Sequence, residues 1–249
     1  MRVLALDTTT STASAALVED DRVVIERVGG ASGSHAARLP GDLLALLRDA
    51  GVELPSVDVF AVASGPGSFT GLRIGIATMQ GLAFVRGRSM VAASALEALA
   101  HSSGDAVPIG AVVGVWIDAH RGDVFSAAYR IADAPAFASE RLIEIEGPAV
   151  GAPGATMSQW ERRWGAPALL IGDGALLYRA AAPEPTRLVA PPPLAGAIGR
   201  MASVRARAGG AINPAAVQPL YVRRPDAVLA RERSALAPTL LAENGKHRP

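Results

Sequence analysis

The chain contains no cysteine among its 249 residues. It therefore has no disulfide, no thiolate nucleophile and no cysteine-ligated zinc or iron–sulfur cluster, and it suits a reducing compartment. An excess of charge is also missing, because 24 Lys and Arg face 23 Asp and Glu. No global field would draw polyanions from a distance, which leaves nucleic acid as a local partner only.

Long apolar runs are absent as well. The longest covers residues 109–117 and includes two glycines, whereas a bilayer span needs about 20 residues. The N-terminal run over residues 3–6 stops at Asp7 and is shorter than the ~7–15-residue core of a signal peptide. We therefore expect a soluble, cytoplasmic protein that does not cross a membrane.

What the chain does have is enough apolar material for a sizeable core, since 50% of its residues are hydrophobic. Its length predicts one or two compact units at about 150 residues per domain. A faint internal repeat is present: Asp7 precedes Ala16 by nine residues, as Asp118 precedes Ala127. The repeat predicts two similarly wound lobes, each with an aspartate-bearing hairpin that faces a shared cleft.

An amphipathic helix is predicted from Leu39 to Ala50, where apolar residues recur at three- and four-residue steps. Gly51 follows as its C-terminal cap, and Pro40 lies near its start. The apolar run over residues 57–63 is typical of a strand buried on both faces. We therefore expect a central parallel strand directly after this helix.

A glycine loop, residues 65–71, joins this strand to a second helix that ends near Val85. Such a junction can bind phosphate through its free backbone N–H groups. The glycine spacing differs from the dinucleotide fingerprint, no Gly-Lys-Ser/Thr follows, and Pro66 lacks a donor. A rigid turn is the favoured interpretation, and phosphate binding is the alternative.

The second helix carries Gly75 and Gly81 in its interior, where each glycine costs about 1 kcal/mol relative to alanine. Gly71, Gly75 and Thr78 share one stripe of the helix. Two explanations stay open: the stripe admits the backbone of a partner, or it packs closely on the protein's own sheet. A second, apolar stripe consists of Leu72, Ile76, Met79 and Ala83.

Asp7 and Asp118 are weak candidates for a cofactor site. Paired carboxylates hold magnesium or polarise water in phosphoryl transfer. The turn after Asp7 has no glycine that would let backbone approach a phosphate. The favoured interpretation is therefore structural, with both carboxylates accepting hydrogen bonds from turn N–H groups.

The four histidines offer no metal pair, because no two of them are three or four residues apart. We expect each to lie at the surface or at a helix end. No Gly-x-Ser-x-Gly motif frames a nucleophile, so hydrolysis has no positive support. The histidines are His35, His101, His120 and His247.

Five segments, in order along residues 1 to about 226, resemble the TsaB (YeaZ) family. The block Gly-Pro-Gly-Ser-Phe-Thr-Gly-Leu-Arg, residues 65–73, is highly specific for it. The segments are 4–10 (LALDTTT), 64–75 (SGPGSFTGLRIG), 94–99 (SALEAL), 117–125 (IDAHRGDVF) and 219–223 (PLYVR).

The resemblance implies the α/β fold of the actin-like, hexokinase-like ATPase superfamily, with two ribonuclease-H-like lobes. It agrees with the internal repeat. We expect an N-terminal lobe over residues 1–104, a C-terminal lobe over residues 105–226, and a basic tail over residues 227–249 that forms an arm or a disordered end.

The function that the resemblance implies is that of a non-catalytic subunit. Such subunits serve the bacterial machinery that installs threonylcarbamoyladenosine beside the anticodon of tRNA. The implied partners are TsaD, which performs the transfer, and the ATPase TsaE; alone, the chain would form a homodimer. TsaD-type proteins carry a His-x-x-x-His metal motif that this chain lacks, so we expect no metal, no cofactor and only indirect contact with tRNA.

In the family, the first two helices form a four-helix bundle with TsaD or with a second TsaB. Pro40 is displaced by one position from the family pattern and Gly41 is added, which predicts a shorter start of the first helix. The partner-binding residues that the resemblance implies are Leu39, Leu43, Leu46, Leu47, Gly71, Ile74, Gly75 and Thr78.

Two other functions stay open. One is a small-molecule kinase or ATPase of the same superfamily that uses Asp7 and Asp118. The other is a protease that acts on TsaD, for which the sequence offers no arrangement of nucleophile and base.

Overall fold

The computed structural model describes residues 1–10, 13–29 and 35–223, and of residues 35–37 only the backbone. The strands in these ranges are β1 (Arg2–Asp7), β2 (Ser14–Glu19), β3 (Arg22–Val28), β4 (Val59–Gly65), β5 (Ser89–Ser94), β6 (Val112–Asp118), β7 (Val124–Ile131), β8 (Leu142–Gly151), β9 (Leu169–Ile171) and β10 (Arg187–Val189). The α-helices are α1 (His35–Asp49), α2 (Phe69–Val85), α3 (Ala95–Ser103), α4 (Pro153–Trp164), α5 (Asp173–Leu177) and α6 (Ala195–Arg207).

The first five strands form one mixed sheet in the order β3-β2-β1-β4-β5. The first three strands make an antiparallel meander. β4 lies between β1 and β5, parallel to both, and is almost wholly buried. The predicted central parallel strand is therefore confirmed, two residues later in the chain than the apolar run suggested.

The last five strands form a second sheet in the order β10-β9-β6-β7-β8. β6, β7 and β8 are antiparallel neighbours, and β9 and β10 continue the sheet in parallel. Counted from each half's first strand, both sheets have the same order, which is that of ribonuclease-H-like lobes. The two-lobe α/β fold class is confirmed.

The internal repeat that predicted this duplication does not align in the two sheets: the strand pairing of the second half is shifted by one residue relative to that of the first. Ala16 lies opposite Ala5, two residues before Asp7, whereas Ala127 lies opposite Val115, three residues before Asp118. Side chains alternate between the faces of a strand, so one residue of displacement moves a side chain to the other face. The two aspartates are consequently not equivalent.

The described residues form five layers, in which the two sheets alternate with three layers of helices, and the core has three corresponding parts. The central cluster joins the facing sides of both sheets through α3 and α6. A second cluster lies between the first sheet and the helices α1 and α2, and a third holds α4 and α5 on the far side of the second sheet. The two N-terminal helices are thus on the outside of the molecule.

Helix α6 follows the second sheet in the chain but packs on the first, against β1, β2 and β4. The carboxylate of Glu26 on β3 accepts a hydrogen bond from Gly196 N at 2.7 Å, in the first turn of α6. The chain therefore returns to the N-terminal sheet near its C-terminal end. A division into lobes at residue 104 stays a prediction, and the predicted tail over residues 227–249 lies outside the described residues.

One expectation about a helix needs correction. α1 begins at His35 and contains Pro40, so the displaced proline does not shorten its start; Pro40 and the Gly41 after it are exposed, and one unmade hydrogen bond is tolerated there. Two elements, β8 and α4, were not predicted from the sequence. β8 is a half-exposed edge strand without a continuous apolar run.

Candidate functional site

Three of the five family-like segments, 64–75, 117–125 and 219–223, line one cleft between the lobes, and the turn after β1 contacts the first of them. Ser68 N donates to Thr9 O at 2.8 Å, Leu220 N donates to Ser64 O at 2.7 Å, and Arg223 Nη1 donates to Ala119 O at 2.6 Å. We call the space that they enclose the interlobe cleft, with a volume of about 540 Å³. Residues 66–72, 118–121 and 220–223 account for nearly all of its lining.

One wall of the interlobe cleft is the first turn of α2. Ser68 caps the helix by accepting a hydrogen bond from Gly71 N at 3.2 Å. The ring of Phe69 lies 5.3 Å from that of Tyr221, and the Arg73 guanidinium lies 3.9 Å above Phe69. Both rings are about two-fifths exposed. The wall is therefore aromatic and cationic, with the positive end of a 17-residue helix behind it.

The glycine loop is packed against the hairpin formed by β1 and β2, which we call the first hairpin. A side chain at Gly67 would overlap the carbonyl oxygen of Thr9, and one at Gly71 would overlap that of Thr8. Gly65 adopts a φ of 119°, a backbone conformation that favours glycine. These glycines let two backbones touch within the chain, which supports the rigid-turn interpretation over phosphate binding.

Asp7 is fully buried and is satisfied by its own turn. Its Oδ1 accepts hydrogen bonds from Thr9 N at 2.8 Å and Thr9 Oγ1 at 2.6 Å, and its Oδ2 accepts one from Thr10 Oγ1 at 2.9 Å. Burial raises the pKa of this carboxyl, and the hydrogen bonds from Thr9 and Thr10 oppose that effect. The carboxylate holds the turn together, as the structural interpretation predicts.

Asp118 lies in a different setting, at the cleft and one-fifth exposed. Its carboxylate accepts hydrogen bonds from Tyr178 OH at 3.3 Å and His120 N at 3.0 Å, and it pairs with His120 Nδ1 at 3.1 Å. Asp7 lies on the same face of its strand as Ala5, which belongs to the central cluster, whereas Asp118 lies on the same face as Trp116, which belongs to the third cluster. The two carboxylates are therefore directed to different sides of their sheets. The fold does not present them as a pair.

The histidines occupy unlike environments. His120 is exposed in the turn after β6, as expected of a surface residue. His101 lies in the last turn of α3 but is 7% exposed, with its ring 5.2 Å from that of Phe137. Burial lowers the pKa of His101 to about 4, and the positive charges of Arg205, Arg141 and Arg200 act in the same direction. His101 thus lies at a helix end, as expected, but its burial was not predicted, because a lone histidine carries no spacing signal.

Two further features concern residues 1–10, 13–29 and 35–223, which the structure describes. No three His, Asp or Glu side chains there lie close enough together to share a metal ion. Nor does any helix in those ranges combine the length and the apolar character that a membrane span requires.

The residues that the resemblance assigns to a partner fall into two groups. Leu43, Leu46 and Leu47 of α1 are fully buried in this chain's own core, beneath the helix. A side chain at Gly75 would overlap Thr8 Oγ1, so Gly71 and Gly75 both face the first hairpin. These five residues shape the lobe itself. The second group consists of Leu39, Ile74 and Thr78, which are partly exposed, as is Gly71.

A different set of α2 residues faces outward. Phe84 is 80% exposed and Val85 79%, and a side chain at Gly81 would meet open space. Ala77 lies one turn before Gly81 and is also exposed. We call this set the outer face of α2, defined as Ile74, Ala77, Thr78, Gly81, Phe84 and Val85. The periodicity of the sequence does not distinguish the outer face from the side of α2 that carries Gly71 and Gly75, because both are rich in small residues.

The outer face of α2 is unusual for a helix surface because it carries no charge. Arg73 is the single charged residue of the helix; it lies one turn before Ala77, and its Nε donates to Tyr221 OH at 3.0 Å, at the opposite end of α2 from Phe84 and Val85. Arg86 follows Val85 as the C-terminal cap of the helix. On the neighbouring helix α1, Leu44 is 43% exposed. Exposed apolar side chains grouped on one helix face are characteristic of surfaces that bind another molecule.

Comparison with known proteins gives a consistent family. Residues 16–159 match the family model described as TsaD, tRNA N6-adenosine threonylcarbamoyltransferase. An uncharacterized protein of Mycobacterium tuberculosis is 32% identical over 228 residues, which cover 90% of this chain and 93% of that protein. The tRNA threonylcarbamoyladenosine biosynthesis protein TsaB of Bacillus subtilis is 34% identical over 134 residues, 52% of this chain and 56% of that protein.

A solved structure covers nearly the whole fold. YeaZ from Pseudomonas aeruginosa superposes with a TM-score of 0.70 at 30% identity, over 88% of this chain and 99% of that one. The match includes both lobes, and the duplicated sheet order and the convergent motif segments agree with it. On these grounds, the chain belongs to the TsaB/YeaZ members of the TsaD family.

Proposed function

We propose that this chain is a non-catalytic subunit of the machinery that makes threonylcarbamoyladenosine in tRNA. Its role would be to bind TsaD, and with it TsaE, so that the transfer takes place on TsaD. The relatives named TsaB support the pathway, and the outer face of α2 supports the docking role. Contact with tRNA would be through the complex, and the chain alone would pair with a second copy.

The observation that carries the docking proposal is the exposure of Phe84 and Val85 on an uncharged helix face. Exposing large apolar side chains to water is unfavourable, by about 25 cal/mol per Å². Burying them against a partner would recover that free energy. The small residues Ala77 and Gly81 in the middle of the face would let a partner helix approach closely.

The same geometry weighs against the alternative of a kinase or ATPase. Asp7 is buried and saturated by hydroxyl groups, and Asp118 is held by Tyr178 and His120 on the other side of its sheet. A two-carboxylate magnesium site needs both groups within reach of one ion. Saturable ATP turnover by the isolated chain, lost in Asp7→Ala, would favour the alternative instead.

The docking proposal is tested by placing a charge in the centre of the outer face. We expect Ala77→Arg to abolish co-purification with the TsaD of the same organism, since the guanidinium would be buried without a partner. Ala155→Arg is the matched control, an exposed alanine on α4 in the other lobe. Light scattering after size exclusion measures the mass of each mixture.

Two outcomes would contradict the proposal in different ways. If the unmodified chain forms no complex with TsaD, the scaffold role is rejected. If the complex forms and survives Ala77→Arg, the role stands but the outer face of α2 is the wrong surface. Omitting the chain from a reconstituted mixture of TsaD, TsaE, ATP, threonylcarbamoyl-adenylate as the donor, and tRNA then checks whether modification depends on it.

A further inference from the structure

The segment after α6, residues 209–223, runs back across the first lobe, and we call it the strap. It joins the edge of the first sheet, where Met90 N donates to Ile212 O at 2.9 Å and Ile212 N donates to Met90 O at 2.8 Å. The side-chain amide of Gln80 on α2 donates to Pro214 O at 2.8 Å and Val217 O at 3.2 Å. The first half of the strap is therefore tied to both the sheet and α2.

The second half of the strap passes over the glycine loop. Leu220 N donates to Ser64 O at 2.7 Å, and a side chain at Gly65 would be too close to Leu220 O. The hydroxyl of Tyr221 accepts a hydrogen bond from Arg73 Nε at 3.0 Å. These contacts place the strap along the rim of the interlobe cleft, still attached to the first lobe.

At Arg223 the strap reaches the second lobe. The guanidinium donates to Ala119 O at 2.6 Å and forms an ion pair with Asp123. Ala119 and Asp123 are the two ends of the turn between β6 and β7, closed by a hydrogen bond from Ala119 N to Asp123 O at 3.0 Å. One side chain therefore grips both ends of the turn that forms the far wall of the cleft.

We infer that the strap is an interlobe latch: it fastens the β6–β7 turn of the second lobe to α2 and the first sheet, and so sets the width of the interlobe cleft. Arg223 is the positioning residue at its end. A guanidinium that bonds a carboxylate and a carbonyl together is directional and stronger than a neutral hydrogen bond. Four contacts fix the strap to the first lobe at positions that precede Arg223 in the chain. Gln80 and Arg73 make two of these contacts, so the position of Arg223 is coupled to that of α2.

The absence of native cysteine makes this measurable with two introduced labels. Arg48→Cys on α1 and Leu177→Cys on α5 are exposed sites in opposite lobes, and spin labels there report the distance between lobes by pulsed electron resonance. We expect a narrow distance distribution in the parent and a broadened or shifted one in Arg223→Ala. Asp123→Ala should reproduce this effect, and Arg223→Lys should restore part of the narrow distribution.

The control is Arg162→Ala, an exposed arginine on α4. The inference is overturned if the distribution is unchanged in both Arg223→Ala and Asp123→Ala, or if Arg162→Ala broadens it equally. Amide exchange gives a second measurement: residues 119–123 and 219–222 should exchange about tenfold faster in Arg223→Ala, with unchanged exchange in β1 and β4. All of this uses the isolated chain, so it does not depend on the proposed partner.

Discussion

Gly75 and Gly81 occupy the same helix, six residues apart, yet they serve opposite sides of the molecule. A side chain at Gly75 would overlap Thr8 of the first hairpin, whereas one at Gly81 would meet open space. Each glycine costs α2 about 1 kcal/mol relative to alanine. At Gly75 the chain's own packing offsets that cost, whereas at Gly81 no contact with the described residues does. A glycine in a helix therefore indicates that another segment can approach closely, but it does not indicate whether that segment belongs to the same chain or to a partner.

The largest expected effect is that of Gly75→Leu. The side chain has no space beside Thr8, so the helix must move or the hairpin must deform, at about 3 kcal/mol or more. We expect low soluble yield and a large drop in the midpoint of urea unfolding. Gly81→Leu is the matched control and should unfold close to the parent. Equal stability of the two variants would erase the distinction between the faces.

A second expectation concerns the outer face. Phe84→Ser should change the free energy of unfolding by less than about 0.5 kcal/mol, because its ring is already in water. It should weaken binding to TsaD by about 2 kcal/mol, as expected when an aromatic anchor is removed. Titration calorimetry measures the binding and urea unfolding the stability. A stability loss without a binding loss would mean that Phe84 belongs to the fold instead.

The contact between Gly75 and Thr8 can be isolated by a double-mutant cycle. Thr8 Oγ1 donates to Gly71 O at 2.7 Å, so Thr8→Ala alone should cost about 1 kcal/mol. Gly75→Ala alone should cost somewhat more, because its methyl group overlaps that hydroxyl. The double variant should be less destabilised than the sum by about 1 kcal/mol. Additive effects would show that the overlap is relieved elsewhere.

The smallest effect is expected for Gly81→Ala. Because none of the described residues lies near the added methyl group, the variant should gain up to about 1 kcal/mol of stability from helix propensity alone. Thermal unfolding of the isolated chain tests this. If the outer face packs closely against a partner, the same variant should bind TsaD more weakly than the parent. A destabilised Gly81→Ala would contradict the open environment assigned to Gly81.

Much of the fold was predictable because it rests on local patterns. The apolar run over 57–63 identified the central strand, and the spacing from Leu39 to Ala50 identified α1. The β8 strand and α4 were not predictable in this way, since a half-exposed edge strand has no continuous apolar run. The candidate site was located by its family-like segments, but their convergence on one cleft depends on contacts over more than 100 residues, such as that from Arg223 to Ala119.

What the sequence determined by itself was the elements with a clear local pattern, such as α1 and the central strand, and a trace of the duplication, since these follow from hydrophobic periodicity and turn residues within short windows. The tertiary structure decided which face each functional side chain occupies. One residue of register separates the environments of Asp7 and Asp118, and only the docking of α2 on the first hairpin distinguishes Gly75 from Gly81. The physical reason is that burial belongs to the assembled layers: a helix or strand pattern fixes which residues share a face, and only packing selects the face that stays in water.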